Sequence, residues 1–222
     1  MRRWAQLSKD RVREMVSAEE LVALQDRLTR EWHEPAARED GEPAAAGGGQ
    51  EPAKDWLGLV SAQHRANFDL WHIEDEARAP GASDQEVAAV KRRIDHTNQR
   101  RNDLTEELDR ILMAWLAAQA LPNAEAALNS ESPGLIIDRL SILALKIYHT
   151  REEAERKRAP EGHAARNRER LAILEQQRAD LARCLDALWR ETMSGARQFK
   201  IYRQLKMYND PALNPAIYKD RE

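Results

Sequence analysis

The stretch SPGLIIDRLSILALKIYH, Ser132 to His149, decides the architecture. Ser132 followed by Pro133 is a helix start: a capping hydroxyl, then a residue that needs no N–H donor in the first turn. Ile136, Leu140, Leu143 and Ile147 recur at helical spacing and form one apolar stripe. Leu135, Ile142 and Leu145 populate the opposite side. A helix that is apolar on two sides must be covered on two sides, so this one is expected at the centre of a bundle. Its second side also carries Asp138, His149 and Glu152, with Arg139 and Lys146 flanking, which places polar groups where the interior should be.

The rest of the chain fits that centre. Charged residues make up 33% of 222 residues and phenylalanine occurs only twice. Leu, Ala, Glu and Arg dominate and β-branched runs are nearly absent, a composition that favours helices throughout. The length suits one helical domain with appendages. A single cysteine, Cys184, excludes an internal disulfide and a multi-cysteine zinc site. Its neighbours Leu181, Leu185 and Leu188 predict a buried thiol. The amino end, MRRWAQLSKDRVREM, has no apolar run that would suit a signal peptide, and no stretch is long enough to span a membrane, so a cytoplasmic protein is expected. A net charge of −3 argues against general nucleic-acid binding.

Residues 1–33 form an amino-terminal helical segment, with Ser17 to Glu20 as a capping box and Leu21, Leu24, Leu28 and Trp32 as its apolar stripe. EPAAREDGEPAAAGGGQEPAKD, 34–55, has no periodicity and reads as a flexible linker. The bundle core spans 56–197. Its first helix runs from Leu57 to Arg78 and is stopped by Ala79 to Gly81. A second capping box, Ser83 to Glu86, opens a long helix to about Ala120, which Pro122 and Asn123 break before a short turn or helix. The central helix then runs into the solvated, charged Arg151–Arg158, and a last one, after Pro160 and Gly162, stops at Gly195. In the arm, 198–222, Phe199, Ile201, Leu205 and Met207 alternate as in a strand without a visible partner. The fold class is therefore all-α: a bundle of four to five principal helices with an extended carboxy-terminal arm.

Several inward positions are polar. Val90, Ile94, Leu104, Leu108, Leu112 and Trp115 mark the inner stripe of the long helix. Arg101 falls on that stripe, with Thr97 above it and Asn98 and Thr105 at its edge. Burying an unpaired guanidinium costs on the order of several kcal/mol, so Arg101 needs a partner or a wet cavity. The preceding helix has a second face of His64, Asn67, Trp71, Glu74, Asp75 and Arg78. In the last helix Gln177 interrupts the leucine seam, and His163, Asn167 and Arg170 extend it.

Three readings follow. Arginines and amides from several helices could line a cleft for an anionic or hydroxyl-rich molecule. Paired side chains, for example Arg101 with Asp138, could form a structural network. Metal ligation is the third: His72 and Asp75, and His149 and Glu152, are each three apart. That order is the reverse of the Glu-x-x-His pairs of dinuclear carboxylate bundles, and no bridging carboxylates are evident.

NFDLWHIEDEAR, IDHTNQRRNDLTEELD, SPGLIIDRLSILALKIYH and FKIYRQLKMYNDPALNP together resemble the bacterial domain-of-unknown-function family 4254, over about Leu21 to Tyr218. The resemblance implies a bacterial, cytoplasmic, helical protein with no assigned activity. It also implies a place beside glycosyltransferases in surface-polysaccharide gene clusters. The shared strings contain Asn67, His72, Glu74, Asp75, Arg78, Asp95, Asn98, Arg101, Asn102 and Asp138. They also contain Arg139, Lys146, His149, Tyr202, Arg203, Lys206 and Asn209. The linker is longer and richer in Ala and Gly than the resemblance leads one to expect. VKRRIDHTNQRRNDL is similar to the first helix of the helical chorismate mutases, but over that helix alone, which serves as precedent and not as homology.

The expected function is binding of an anionic sugar- or nucleotide-like molecule in a polar cleft, with a link to surface-polysaccharide biosynthesis. The arginines and Lys146 would bind negative charge, and Asn67, Asn98 and Asn102 would bind hydroxyls. Asp95, Asp138, Tyr202, Lys206 and Asn209 complete the lining. His72 with Glu74 or Asp75, and His149, are the candidates for proton transfer. The competing expectation is a non-enzymatic accessory protein that docks onto a partner enzyme. No cofactor is assigned.

Overall fold

Ser17, Ser83 and Ser132 each stand immediately before a helix, and their hydroxyls accept the backbone N–H groups of Glu20, Glu86 and Leu135. At Ser83 the Glu86 carboxylate also accepts the Ser83 N–H, which completes a capping box. The protein is seen here in a computed structural model that describes residues 16–34 and 56–203. Five helices run through those residues: α1 (Ala18–His33), α2 (Trp56–Glu76), α3 (Asp84–Ala118), α4 (Pro133–Glu155) and α5 (His163–Met193). Gly195, at φ 75°, ends α5 in the left-handed conformation that glycine adopts without cost.

α4 packs against each of the other four helices, most extensively against α5, while α2 lies along α3. This is the central placement that two apolar sides demand. Ile136, Ile137, Leu140, Ala144, Leu145 and Ile147 are all buried on it. Leu108, Leu112, Trp115 and Leu116 of α3 and Leu185, Leu188 and Trp189 of α5 close the core around it. Each fully buried side chain of this size contributes about 1.5–3 kcal/mol. None of the described helices is long and apolar enough to cross a membrane.

The start of α4 is fixed on α3 by one carboxylate. Asp109 accepts the Ser132 hydroxyl and the Gly134 N–H (2.7 Å), so it satisfies groups at the helix start from outside the helix. The approach is close: a Cβ on Gly134 would lie 2.6 Å from the Thr105 carbonyl oxygen and 2.8 Å from the Asp109 carboxyl. Burial pushes the Asp109 carboxyl up to about 6.

Three expectations need correction. Cys184 is exposed, because it falls on the outer flank of the Leu181–Leu185–Leu188 seam. The inner line of α1 is Leu21, Gln25 and Thr29, and Leu24 and Leu28 stand only half-buried at its edge, since polar groups of α2 and α4 face α1. The arm does begin with a partner: β2 (Arg197–Gln198) pairs in parallel with β1 (Ala127–Leu128), and Phe199 follows into the core at 1% exposure. The linker from residue 35 to residue 55, and the arm from residue 204 with Leu205, Lys206, Met207 and Asn209, lie outside the described residues.

Candidate metal centre

The polar interior resolves into three groups with different chemistry. The first surrounds His64, which is fully buried between α1 and α4. Thr29 Oγ1 donates to the Gln25 carbonyl (2.8 Å), so its contact with His64 Nε2 (2.9 Å) must be one in which the ring donates. His64 Nδ1 therefore accepts from Ser141 Oγ (2.7 Å), which in turn accepts from Asn67 Nδ2 (2.9 Å). Both ring nitrogens are occupied, and burial holds the pKa of His64 down at about 4. This is a satisfied structural network.

The second group is the Arg101 stripe. Arg101 reaches Asp138 (Nε to Oδ1, 3.7 Å), and Asp138 also accepts from Gln63 and Asn67. Burial pushes the Asp138 carboxyl above the usual carboxylate range, although Arg101, Asn67 and Gln63 oppose the shift. Arg101, Asn102, Asp109, Asp138 and Tyr202 line a cavity of about 40 Å3. That is room for about one or two waters. The pairing of Arg101 with Asp138 is the one expected for a structural network.

The third group is made of histidines. His33 at the end of α1, His72 on α2 and His149 on α4 bring ring nitrogens within 4.8 Å of one another. Nδ1 of His33 bonds the Thr29 carbonyl (2.7 Å), and Nδ1 of His72 bonds the Phe68 carbonyl (2.8 Å). A carbonyl only accepts, so both Nδ1 atoms carry a hydrogen, and in the neutral ring the lone pair then lies on Nε2. His149 repeats the pattern with a carboxylate, Nδ1 to Glu152 Oε2 at 2.9 Å. Nε2 of His33 and of His149 are buried and have no hydrogen-bond partner. Burial, reinforced by His33 and His72, holds the pKa of His149 below the usual imidazole value against the pull of Glu152 and so favours the neutral ring.

Aromatic packing fixes each ring. Tyr148 stacks on His33 (centroids 4.2 Å, 16° between planes) and Trp71 on His149 (4.9 Å, 10°), while Phe68 lies 4.3 Å from His72. The three imidazole centroids stand 4.8, 5.1 and 5.9 Å apart. Three imidazoles that share one tetrahedral ion, with Nε2 at about 2.0–2.1 Å, have centroids about 5 Å apart. An Nδ1–H held by a carbonyl or carboxylate is also the partner that orients metal-ligating histidines. An all-imidazole donor set suits zinc, copper, nickel or iron rather than calcium or magnesium.

A family model described as a protein of unknown function (DUF4254) matches residues 57–201, well over half of the chain. The chain belongs to the DUF4254 family. No curated protein and no solved structure matches it significantly. Of the three histidines in this DUF4254 chain, His72 and His149 lie inside the matched region and His33 lies before it.

The residues singled out from the DUF4254 sequence do not converge on one cleft. His72 and His149 meet, but their expected companions do not complete the site. Asp75 is exposed, and Glu152 bonds the outer nitrogen of His149. Glu74 is held by Arg78 (3.0 Å), Asp95 by Lys91, and Arg139 by Glu131 (2.8 Å), all at the surface. Lys146 and Arg203 are exposed, and Asn98 is half-buried. Lys206 and Asn209 lie outside the described residues. The member of the histidine cluster that the sequence does not announce is His33. A signal was available: Trp32-His33, Trp71-His72 and Tyr148-His149 are the three histidines of six that directly follow an aromatic residue.

Proposed function

We propose that this protein binds one transition-metal ion of the zinc class at Nε2 of His33, His72 and His149. The observation that carries this reading is that three histidines whose Nδ1 atoms are already engaged bring ring nitrogens within 4.8 Å of one another, with the Nε2 atoms of His33 and His149 buried and unpartnered. Lone pairs repel, and a buried acceptor without a donor costs about 1–3 kcal/mol. A cation at the shared point turns both penalties into bonds. Among the described residues no carboxylate or thiolate joins the three, so a fourth coordination position is left to water or a ligand.

The test is a zinc titration of chelator-stripped protein against a competing indicator, beside His72→Ala. One equivalent should bind. His72→Ala should weaken binding by more than the roughly 10- to 100-fold that an orienting partner alone is worth. Less than about half an equivalent bound, or equal affinity in the variant, would overturn the reading.

An anionic sugar- or nucleotide-like ligand, with a role in polysaccharide biosynthesis, is a second proposal. The room for it is a cleft of about 230 Å3 between α1 and α4, where Arg30, Arg151 and Tyr148 offer donors beside the carboxylates of Asp26, Glu34, Glu152 and Glu155. A thermal-shift comparison with sugar nucleotides, with and without zinc, tests it: no shift in either condition would remove it.

A further inference from the structure

The inward face of α1 changes character along its length. At its start Val16, Ala18 and Leu21 are buried apolar groups, whereas the later inward positions are Gln25, Thr29 and His33. That second half is held by directional contacts, Gln25 Nε2 to the Ile137 carbonyl (3.2 Å), Thr29 to His64 (2.9 Å) and Arg178 to Asp26 (2.7 Å), and by ring packing of Trp32 on His64 and of His33 on Tyr148, with no buried aliphatic side chain among its inward positions. Gln25 Oε1 is buried without a partner, so even this seam is incompletely satisfied. Helices held mainly by burial of an apolar face are the stable ones, and a polar seam opens more readily.

His33 is the last residue of α1, and the other two histidines belong to α2 and α4. An ion bound by all three therefore adds a tie between the end of α1, with its polar seam, and the core. α1 also forms one wall of the 230 Å3 cleft, through Asp26, Thr29, Arg30 and Glu34, with α4 as the other. Moreover, the family match begins at residue 57, so the helix that supplies the third ligand precedes the matched region. We propose that metal occupancy controls the docking of α1: the loaded protein holds the helix down and the cleft formed, and the metal-free protein releases its second half. This rests on the metal reading above and adds its consequence for conformation.

The experiment is amide hydrogen exchange on the full-length chain, stripped by chelator and then at rising zinc. In the stripped protein the amides of residues 25–33 should exchange faster than those of α5. A ligand that binds only the docked state suppresses opening by the factor 1 + [L]/Kd, so zinc at 100 times its Kd should slow these amides by about 100-fold. His33→Ala should bind zinc weakly through His72 and His149 and show no such slowing in α1. Stoichiometric zinc binding with unchanged exchange in α1 would overturn this inference and leave the metal site standing. So would stripped protein in which α1 is already as protected as α5. Failure of zinc to bind at all would overturn both.

Discussion

His33 and His149 face each other at nearly a right angle, with ring centroids 4.8 Å apart and with both Nε2 atoms buried and unpartnered. The neighbouring buried groups contrast with them: His64 uses both nitrogens, and the Asp138 carboxylate accepts two amides. Buried polar atoms are normally satisfied, so an exception shared by two imidazoles of the same tautomer points to a common electron acceptor between them.

Glu152 should tune that centre from outside. Its carboxylate accepts from His149 Nδ1, which orients the ring and makes Nε2 a better donor. Glu152→Ala should lower zinc affinity by about 10- to 100-fold, and Glu152→Gln, which keeps an acceptor, by less. Competition titration of the two variants measures this.

Asp109 should leave a signature in the pH dependence of stability. Its folded pKa of about 6 lies above the ordinary 3.8, so its contribution is fully present below 3.8 and lost as pH rises through about 6. The shift corresponds to a loss on the order of 3 kcal/mol. Unfolding titrations of wild type and Asp109→Asn should therefore diverge in favour of the variant by roughly that amount between pH 4 and pH 7. His64, held down at about 4, gives the opposite slope, with stability lost as pH falls from 6.5 towards 4. With Asp109 removed, the stabilisation by acid should shrink to the part that Asp138, whose carboxyl is also pushed up by burial, contributes.

Gly134→Ala tests the α3–α4 contact. The added methyl would meet the Thr105 carbonyl at 2.6 Å, and backbone cannot step aside as a side chain can. A loss of about 1–3 kcal/mol is expected in urea unfolding, at a helix position where alanine would otherwise help.

The Arg101–Asp138 pair should be unequal in its two halves. Asp138→Ala strands Gln63, Asn67 and Arg101 together and should cost on the order of 3 kcal/mol. Arg101→Met removes a quarter-exposed guanidinium at 3.7 Å and should cost less than about 1 kcal/mol. The same urea titrations compare them.

Much of the fold is legible in the chain, because its signals are local. Ser132-Pro133 marks a helix start wherever it occurs, and the two-sided apolar pattern of α4 is enough to make it central. The pairing of Arg101 with Asp138 follows from charge and the cost of burial. The histidine centre is another matter. It depends on the register of three helices from distant parts of the chain, and on the last residue of α1, which looks like the edge of a linker. Gln25 and Thr29 were hidden for a similar reason: Leu24 and Leu28 gave α1 a plausible stripe, and only the polar groups of α2 and α4 turn it. Spacing within one helix, which suggested Asp75 and Glu152 as ligands, carries no information about which side of a ring a neighbour reaches.

The most direct measurement is anomalous diffraction at the zinc edge on crystals of the full-length protein grown with zinc. A single strong peak should lie about 2.0–2.1 Å from Nε2 of His33, His72 and His149, with each Nδ1 still bonded to Thr29, Phe68 and Glu152. A peak on surface carboxylates alone, or no peak among the three rings at saturating zinc, would contradict the account.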